Sequence, residues 1–183
     1  MEYKMNIAGV ERALPLCPLN EKLQIGAFVM FGDVELTVAC AEALLKKAPE
    51  YDVLITAESK GIPLVYEMAR QRGGERYVLA RKMSKLYMRD VIKCEVQSIT
   101  TAAKQVLFLD GYDAEYMKGK RVLIVDDVIS TGESLNALVQ LVKQAGGNIV
   151  GMMAVLAEGD AADRDDIIYL EKLPLFDADG NAL

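Results

Sequence analysis

The stretch Val122-Leu123-Ile124-Val125-Asp126-Asp127-Val128-Ile129-Ser130-Thr131-Gly132-Glu133-Ser134 decides how this chain is read. It opens with four apolar residues, three of them β-branched, the pattern of a buried parallel strand. Two adjacent carboxylates follow, then a small hydroxyl-rich turn. Leu135, Leu138, Val139 and Val142 come next at helical spacing. The order is therefore strand, acidic pair, phosphate-sized loop, helix. In an open α/β sheet, ligands sit at the carboxyl ends of the strands. A helix N-terminus offers unpaired N–H groups and a positive dipole end to an anion. Gly132 lets backbone approach that anion closely, and Ser130, Thr131 and Ser134 add hydroxyl donors.

The plainer alternative is an ordinary strand–turn–helix with Ser130 or Thr131 as N-cap. The Asp126-Asp127 pair weighs against it. Two like charges side by side at a strand end are costly unless a ligand, a metal or water satisfies them. A sugar diol is a good partner, because a carboxylate accepts from two vicinal hydroxyls.

This run resembles the phosphoribosyl-diphosphate (PRPP) signature of the type I phosphoribosyltransferases. The resemblance implies that Asp126 and Asp127 hold the ribose hydroxyls. It implies equally that Ser130, Thr131, Gly132, Glu133 and Ser134 wrap the 5′-phosphate. Glu133 departs from the glycine common in adenine-type members; the helix dipole tolerates an acid there. The expected fold is an open, mostly parallel twisted α/β sheet with helices on both faces. A small hood would come from residues 1–32 and about 157–183, all within one domain of residues 1–183, with a flexible loop and hairpin at 81–110.

Upstream, residues 1–32 lack a clean period and are broken by Pro15 and Pro18, so they read as irregular with short extended pieces. Asp33 caps a helix to about Lys47, with Val34, Thr37, Val38, Ala41, Leu44 and Leu45 as its buried stripe. Val53–Ala57 is a buried strand. The next helix holds Pro63 in its first turn, packs Ile62, Val65, Met68 and Ala69 inward, and stops at Gly73-Gly74. Tyr77–Ala80 is a third strand. Glu95–Thr101 and Gln105–Asp110 form a hairpin-like excursion, and Gly111–Arg121 is a polar connection. Past the signature helix, Ile149–Leu156 and Ile167–Tyr169 are further strands. The alternation implies a mostly parallel sheet.

Two other segments carry the resemblance. Glu58-Ser59-Lys60-Gly61 lies between a strand and a helix and is similar to the family's pyrophosphate loop, with the Glu58–Ser59 bond at the position of a cis peptide. Arg81-Lys82-Met83-Ser84-Lys85-Leu86 is similar to the segment that opens the family's mobile active-site loop. Arg81, Lys82 and Lys85 are accordingly the catalytic candidates. Each stretch also has a bland reading, as a capped helix start and an exposed basic loop. Pro18-Leu19-Asn20 resembles a purine-contacting segment of xanthine-type members, so Asn20 and Val128 are the base-binding candidates. Val96-Gln97-Ser98-Ile99-Thr100 and Leu156-Ala157-Glu158 lean the same way.

Bulk properties bound the rest. The 183 residues are 52% apolar, with no run of membrane-spanning length and no signal peptide visible at the N-terminus. Cys17, Cys40 and Cys94 lack metal spacing and there is no histidine, which argues against structural zinc and for a reduced cytoplasm. The net charge of −6 argues against nucleic acid as main partner. It is uneven: residues 70–93 hold eight Lys or Arg, and residues 158–183 hold eight acids against two bases. The reading is a purine phosphoribosyltransferase, adenine ahead of xanthine, using PRPP with Mg²⁺, without a direct protein-bound metal, as a homodimer. A PRPP-sensing regulator and a pyrimidine enzyme are the alternatives.

Overall fold

The computed structural model describes residues 1–97 and 104–183. The side chain of each signature residue points to the face opposite its neighbour's. Val122 and Ile124 enter one hydrophobic core, and Leu123 and Val125 enter the other. Those two cores are the two faces of a five-stranded sheet. Its strands are β4 (Val53–Ala57), β5 (Val78–Ala80), β8 (Arg121–Ile129), β9 (Asn148–Glu158) and β10 (Ile168–Leu173), in the order β10-β9-β8-β4-β5. Every neighbouring pair is parallel. Helix α4 (Glu133–Gln144) covers one face. It is joined there by the antiparallel pair β6 (Ile92–Gln97) and β7 (Lys104–Leu109). Helices α1 (Val34–Lys47) and α2 (Ile62–Arg72) cover the other.

Residues 1–32 are more ordered than their aperiodic sequence suggests. β1 (Glu2–Ile7), β2 (Val10–Pro18) and β3 (Leu23–Gly26) form an antiparallel sheet completed by β11 (Phe176–Asp177) from the far end of the chain. The prolines are tolerated because β2 changes partner along its length. It pairs with β1 through Val10–Pro15 and with β3 through Leu16–Pro18, so each proline closes a ladder. Arg12 fastens this small sheet to the start of α1. Its guanidinium donates to Asp33 at 2.7 and 3.0 Å and to Glu35 at 2.8 Å. Arg12 thereby holds the Asp33 carboxyl below its usual range.

That anchor accompanies a correction. α1 starts and stops where expected, with Asp33 capping the Leu36 N–H. Its buried residues, however, are Leu36, Thr37, Cys40, Ala41 and Leu44, and Val34 is 74% exposed. The helix is apolar on more than one side, so its sequence admits more than one rotation. Likewise α2 buries Leu64, Val65, Met68 and Ala69, while Ile62 is only half-buried.

Three further departures concern length. The polar connection after β7 contains a helix, α3 (Gly111–Met117), capped by Asp110 through the Tyr112 N–H. It buries only Met117, too little for an apolar period to show. The last parallel strand runs on to Leu173. The signature strand does not end at the carboxylates but continues to Ile129. Of the expected hairpin, Ser98, Ile99, Thr100 and Thr101 lie outside the described residues.

Candidate active site

The crevice opens where β8 loses a neighbour. β8 pairs with β4 only through Val122–Ile124, yet with β9 through Ile129. From Asp126 onward one edge of β8 is therefore free of sheet partners, and Asp126 and Asp127 stand along it. Two cavities meet there. One, of about 410 Å³, is lined by Ala57, Glu58, Ser59, Lys60, Lys82, Asp126, Asp127, Val128 and Ser134. The other, of about 120 Å³, is lined by Asp126 and Val128 through Leu135, including the whole Ser130–Ser134 loop.

The helix starts explain why these cavities suit anions. α1 and α3, away from the crevice, each begin with an aspartate whose side chain accepts a backbone N–H. α2 and α4 begin at Gly61 and Gly132, and neither has a side-chain cap. Gly132, rather than Ser130 or Thr131, thus holds the N-cap position of α4. A glycine at each start lets the backbone come close to an anion, at the end where the helix dipole is positive. Gly132 has a φ of +79°, a conformation that disfavours a side chain.

Gly61 is required for a different reason. Its φ is ordinary, but a β-carbon there would lie 2.2 Å from Thr56 Oγ1 and 3.2 Å from Asp126 Oδ1. The helix start is thus pressed against the end of β4 and the acidic pair. The Glu58–Ser59 peptide before it is cis, as the resemblance implied.

The electrostatics are unsettled in a way that invites a ligand. Asp127 is buried, at 4% exposure, and its N–H donates to Asp126 Oδ1 at 2.9 Å. Lys60 Nζ lies 3.0 Å from Asp127 Oδ2, but off the direction of a hydrogen bond. Burial first, and then the Asp127 charge, push the Asp126 pKa well up from its ordinary value. Among the described residues, four buried side-chain polar atoms have no hydrogen-bond partner: Tyr51 Oη, Thr56 Oγ1, Arg81 Nε and Asp127 Oδ2. Asp127 lines the larger cavity, and Thr56 and Arg81 adjoin Ala57 and Lys82, which line it. Buried polar groups are nearly always satisfied, so such a cluster marks a place completed by something else.

The basic segment divides. Arg81 forms a bridge with Phe108 in β7, its N–H donating to the Phe108 carbonyl at 2.8 Å. Its Nε is 3.6 Å from Glu58 Oε1, a charge contact too long for a hydrogen bond. The Lys82 N–H donates to the other Glu58 oxygen at 2.9 Å, and Lys82 lines the larger cavity. Lys85 lines neither cavity; it sits in a turn whose Met88 N–H donates to the Lys85 carbonyl at 3.0 Å. Asn20 occupies the β2–β3 turn, where its side-chain carbonyl accepts the Lys22 and Leu23 N–H groups at 2.9 and 3.0 Å. Val128 lines both cavities. Thr56 was not singled out by the sequence reading; a lone threonine inside an apolar strand gives no signal.

Comparison with known proteins agrees with this picture. Residues 35–176 match the family model described as the phosphoribosyl transferase domain. A hypoxanthine/guanine phosphoribosyltransferase of Methanotorris igneus is 37% identical over 109 residues, 60% of this chain and 55% of that protein, so the match spans about half its length. An adenine phosphoribosyltransferase of Acetivibrio thermocellus is 29% identical over 157 residues, covering 81% of this chain and 85% of the relative. The fold is that of the crystal structure of adenine phosphoribosyltransferase from Thermoanaerobacter pseudethanolicus. That structure has a TM-score of 0.72 at 22% identity and covers 87% of this chain and 95% of its own.

Proposed function

The chain belongs to the phosphoribosyl transferase family, and on that premise we propose that it transfers the 5-phosphoribosyl group of PRPP to a purine base. The observation that carries the reading is the pairing of two helix starts at glycines, Gly61 and Gly132, around an acidic pair with an unsatisfied buried oxygen. PRPP has three parts with matching chemistry. Its 5′-phosphate suits the Ser130–Ser134 loop, its ribose hydroxyls suit Asp126 and Asp127, and its diphosphate suits Glu58–Gly61 with Lys60 and Lys82.

In the reaction a purine ring nitrogen attacks the anomeric carbon. A C–N bond forms, the C–O bond breaks with its electron pair going to pyrophosphate, and the proton of the purine's imidazole ring is lost to water. Positive charge develops on the ribose ring and negative charge on the leaving group. This chain's residues then have two tasks: to hold the ribose in line and to surround the leaving group with cations. Asp126 and Asp127 do the first and also face the developing positive charge. Lys60, Lys82 and the Arg81 guanidinium do the second. The acidic pair also fits Mg²⁺ carried by the donor, since hard carboxylate oxygens with an unpaired lone-pair site match that ion. When bound, Mg²⁺ neutralises diphosphate charge and assists its departure.

Adenine is the base we favour. The naming of the Acetivibrio relative supports it. The naming of the Methanotorris relative supports hypoxanthine or guanine as the second reading. The deciding experiment incubates the protein with PRPP, Mg²⁺ and each of adenine, hypoxanthine, guanine, xanthine and orotate. Formation of AMP with release of pyrophosphate is expected. Tight PRPP binding with no nucleotide from any base would instead identify a PRPP sensor.

A further inference from the structure

We propose that Arg164 is a positioning residue for the 5′-phosphate of the donor, holding a cation against the outer side of the Ser130–Ser134 loop. The inference rests on the phosphoribosyl reading above and adds a residue from a distant part of the chain. After β9 the backbone makes a short 3-10 turn, Gly159–Asp163, and Arg164 follows it. Asp166 grips the guanidinium in two places. Nε donates to Oδ1 at 2.8 Å and Nη2 to Oδ2 at 2.7 Å. A fork held at two points has a fixed plane, and the remaining nitrogen, Nη1, is aimed by that plane.

Nη1 is aimed at Gly132. It lies 2.8 Å from the point a β-carbon on that glycine would occupy. The φ of +79° disfavours a side chain at Gly132, and the guanidinium end occupies the space one would take. A partly exposed Arg–Asp pair contributes little stability by itself. Its placement makes more sense as electrostatics. With no side chain between them, a single glycine separates the cation from the loop interior, where α4 also presents its positive end. Arg164 does not line the loop cavity, so it acts through Gly132 and its charge rather than as a direct ligand.

The test compares wild type with Arg164→Gln, Arg164→Lys and Asp166→Asn. Steady-state kinetics resolve kcat from the KM for PRPP. Calorimetry measures ribose 5-phosphate and Mg²⁺–pyrophosphate separately, and thermal melting monitors the fold. Arg164→Gln should raise the KM for PRPP and weaken ribose 5-phosphate about tenfold, while kcat and pyrophosphate affinity stay within about twofold. Arg164→Lys should recover part of the loss, and Asp166→Asn should show a smaller loss of the same kind. Unchanged ribose 5-phosphate affinity in Arg164→Gln, beside an active wild type, overturns the inference alone. Ribose 5-phosphate and pyrophosphate affinities falling together with the melting temperature would also overturn it, as a purely structural role. A wild type that binds neither ribose 5-phosphate nor PRPP removes the phosphoribosyl reading and the inference with it.

Discussion

Asp126→Asn should make the ligand-free protein more stable while destroying its response to PRPP. The substitution keeps the shape of the side chain and the oxygen that accepts the Asp127 N–H at 2.9 Å. It removes one of two adjacent carboxylates, of which Asp127 is deeply buried with Lys60 near by. Burial and the Asp127 charge raise the Asp126 pKa in the folded state. Between the ordinary carboxylate value and that raised value, the folded protein binds more protons than the unfolded chain. Stability therefore falls as pH rises through this window, and the penalty is complete above it. Asparagine carries no such penalty. A buried polar group lacking partners costs about 1–3 kcal/mol, more when charged. For a chain of this size each kcal/mol moves the melting temperature by about 2–4 °C. The variant should thus melt roughly 2–12 °C above wild type at pH 8 to 9, with the difference shrinking toward zero near pH 4. Wild type should gain further stability from PRPP with Mg²⁺ by mass action, and the variant should gain almost none. Scanning calorimetry across that pH range, with and without PRPP and Mg²⁺, measures both effects. A variant less stable than wild type at high pH would refute the account of the acidic pair, and an intact PRPP response would refute the ribose assignment.

Gly61→Ala should cost about 1–3 kcal/mol of stability through overpacking, because its methyl collides with Thr56 Oγ1 at 2.2 Å; wild-type melting in that variant would show that the α2 start is not pressed against β4. Lys82→Ala should lower kcat about tenfold, the loss of about 1.4 kcal/mol of transition-state stabilisation, since Lys82 lines the larger cavity. Lys85→Ala, outside both cavities, should do less, and the reverse order in steady-state kinetics would return the catalytic assignment to Lys85. Binding of Mg²⁺-loaded PRPP should release protons near neutral pH, because a cation at Asp126 favours its charged form. Calorimetry in buffers of different ionisation enthalpy reads this directly, and a buffer-independent enthalpy would contradict it. The loop after β5 exposes Met83, Leu86 and Tyr87, whereas Met88 is half-buried with its sulfur 3.2 Å from the Lys85 N–H. A homodimer joined there should appear in sedimentation at micromolar concentration and dissociate in Leu86→Asp; a monomeric wild type would rule it out.

What the chain declares in its sequence is local. The apolar strand, the Asp126-Asp127 pair, the Ser130–Ser134 loop and the stripe after it sit within one continuous segment. Short-range rules of alternation, helix periodicity and anion binding at a helix start act on neighbours in sequence, so they are legible there. The same holds for Glu58–Gly61 and for both ends of α1. What tertiary structure alone decided depends on residues far apart. Pairing with β11 and the Arg12 anchor accompany order in residues 1–32, although Pro15 and Pro18 argued for breaks. The rotation of α1 was set by which apolar side the sheet could accept. α3 rests on an aspartate cap and one buried methionine, too little for periodicity to register. The crevice exists because β8 outruns β4 while staying paired with β9, a matter of relative strand register. Arg164 reaches Gly132 across 32 positions of sequence, and Gly61 meets Thr56 and Asp126 on two different strands. Proximity of that kind is created by chain packing, and no local pattern of residue types encodes it.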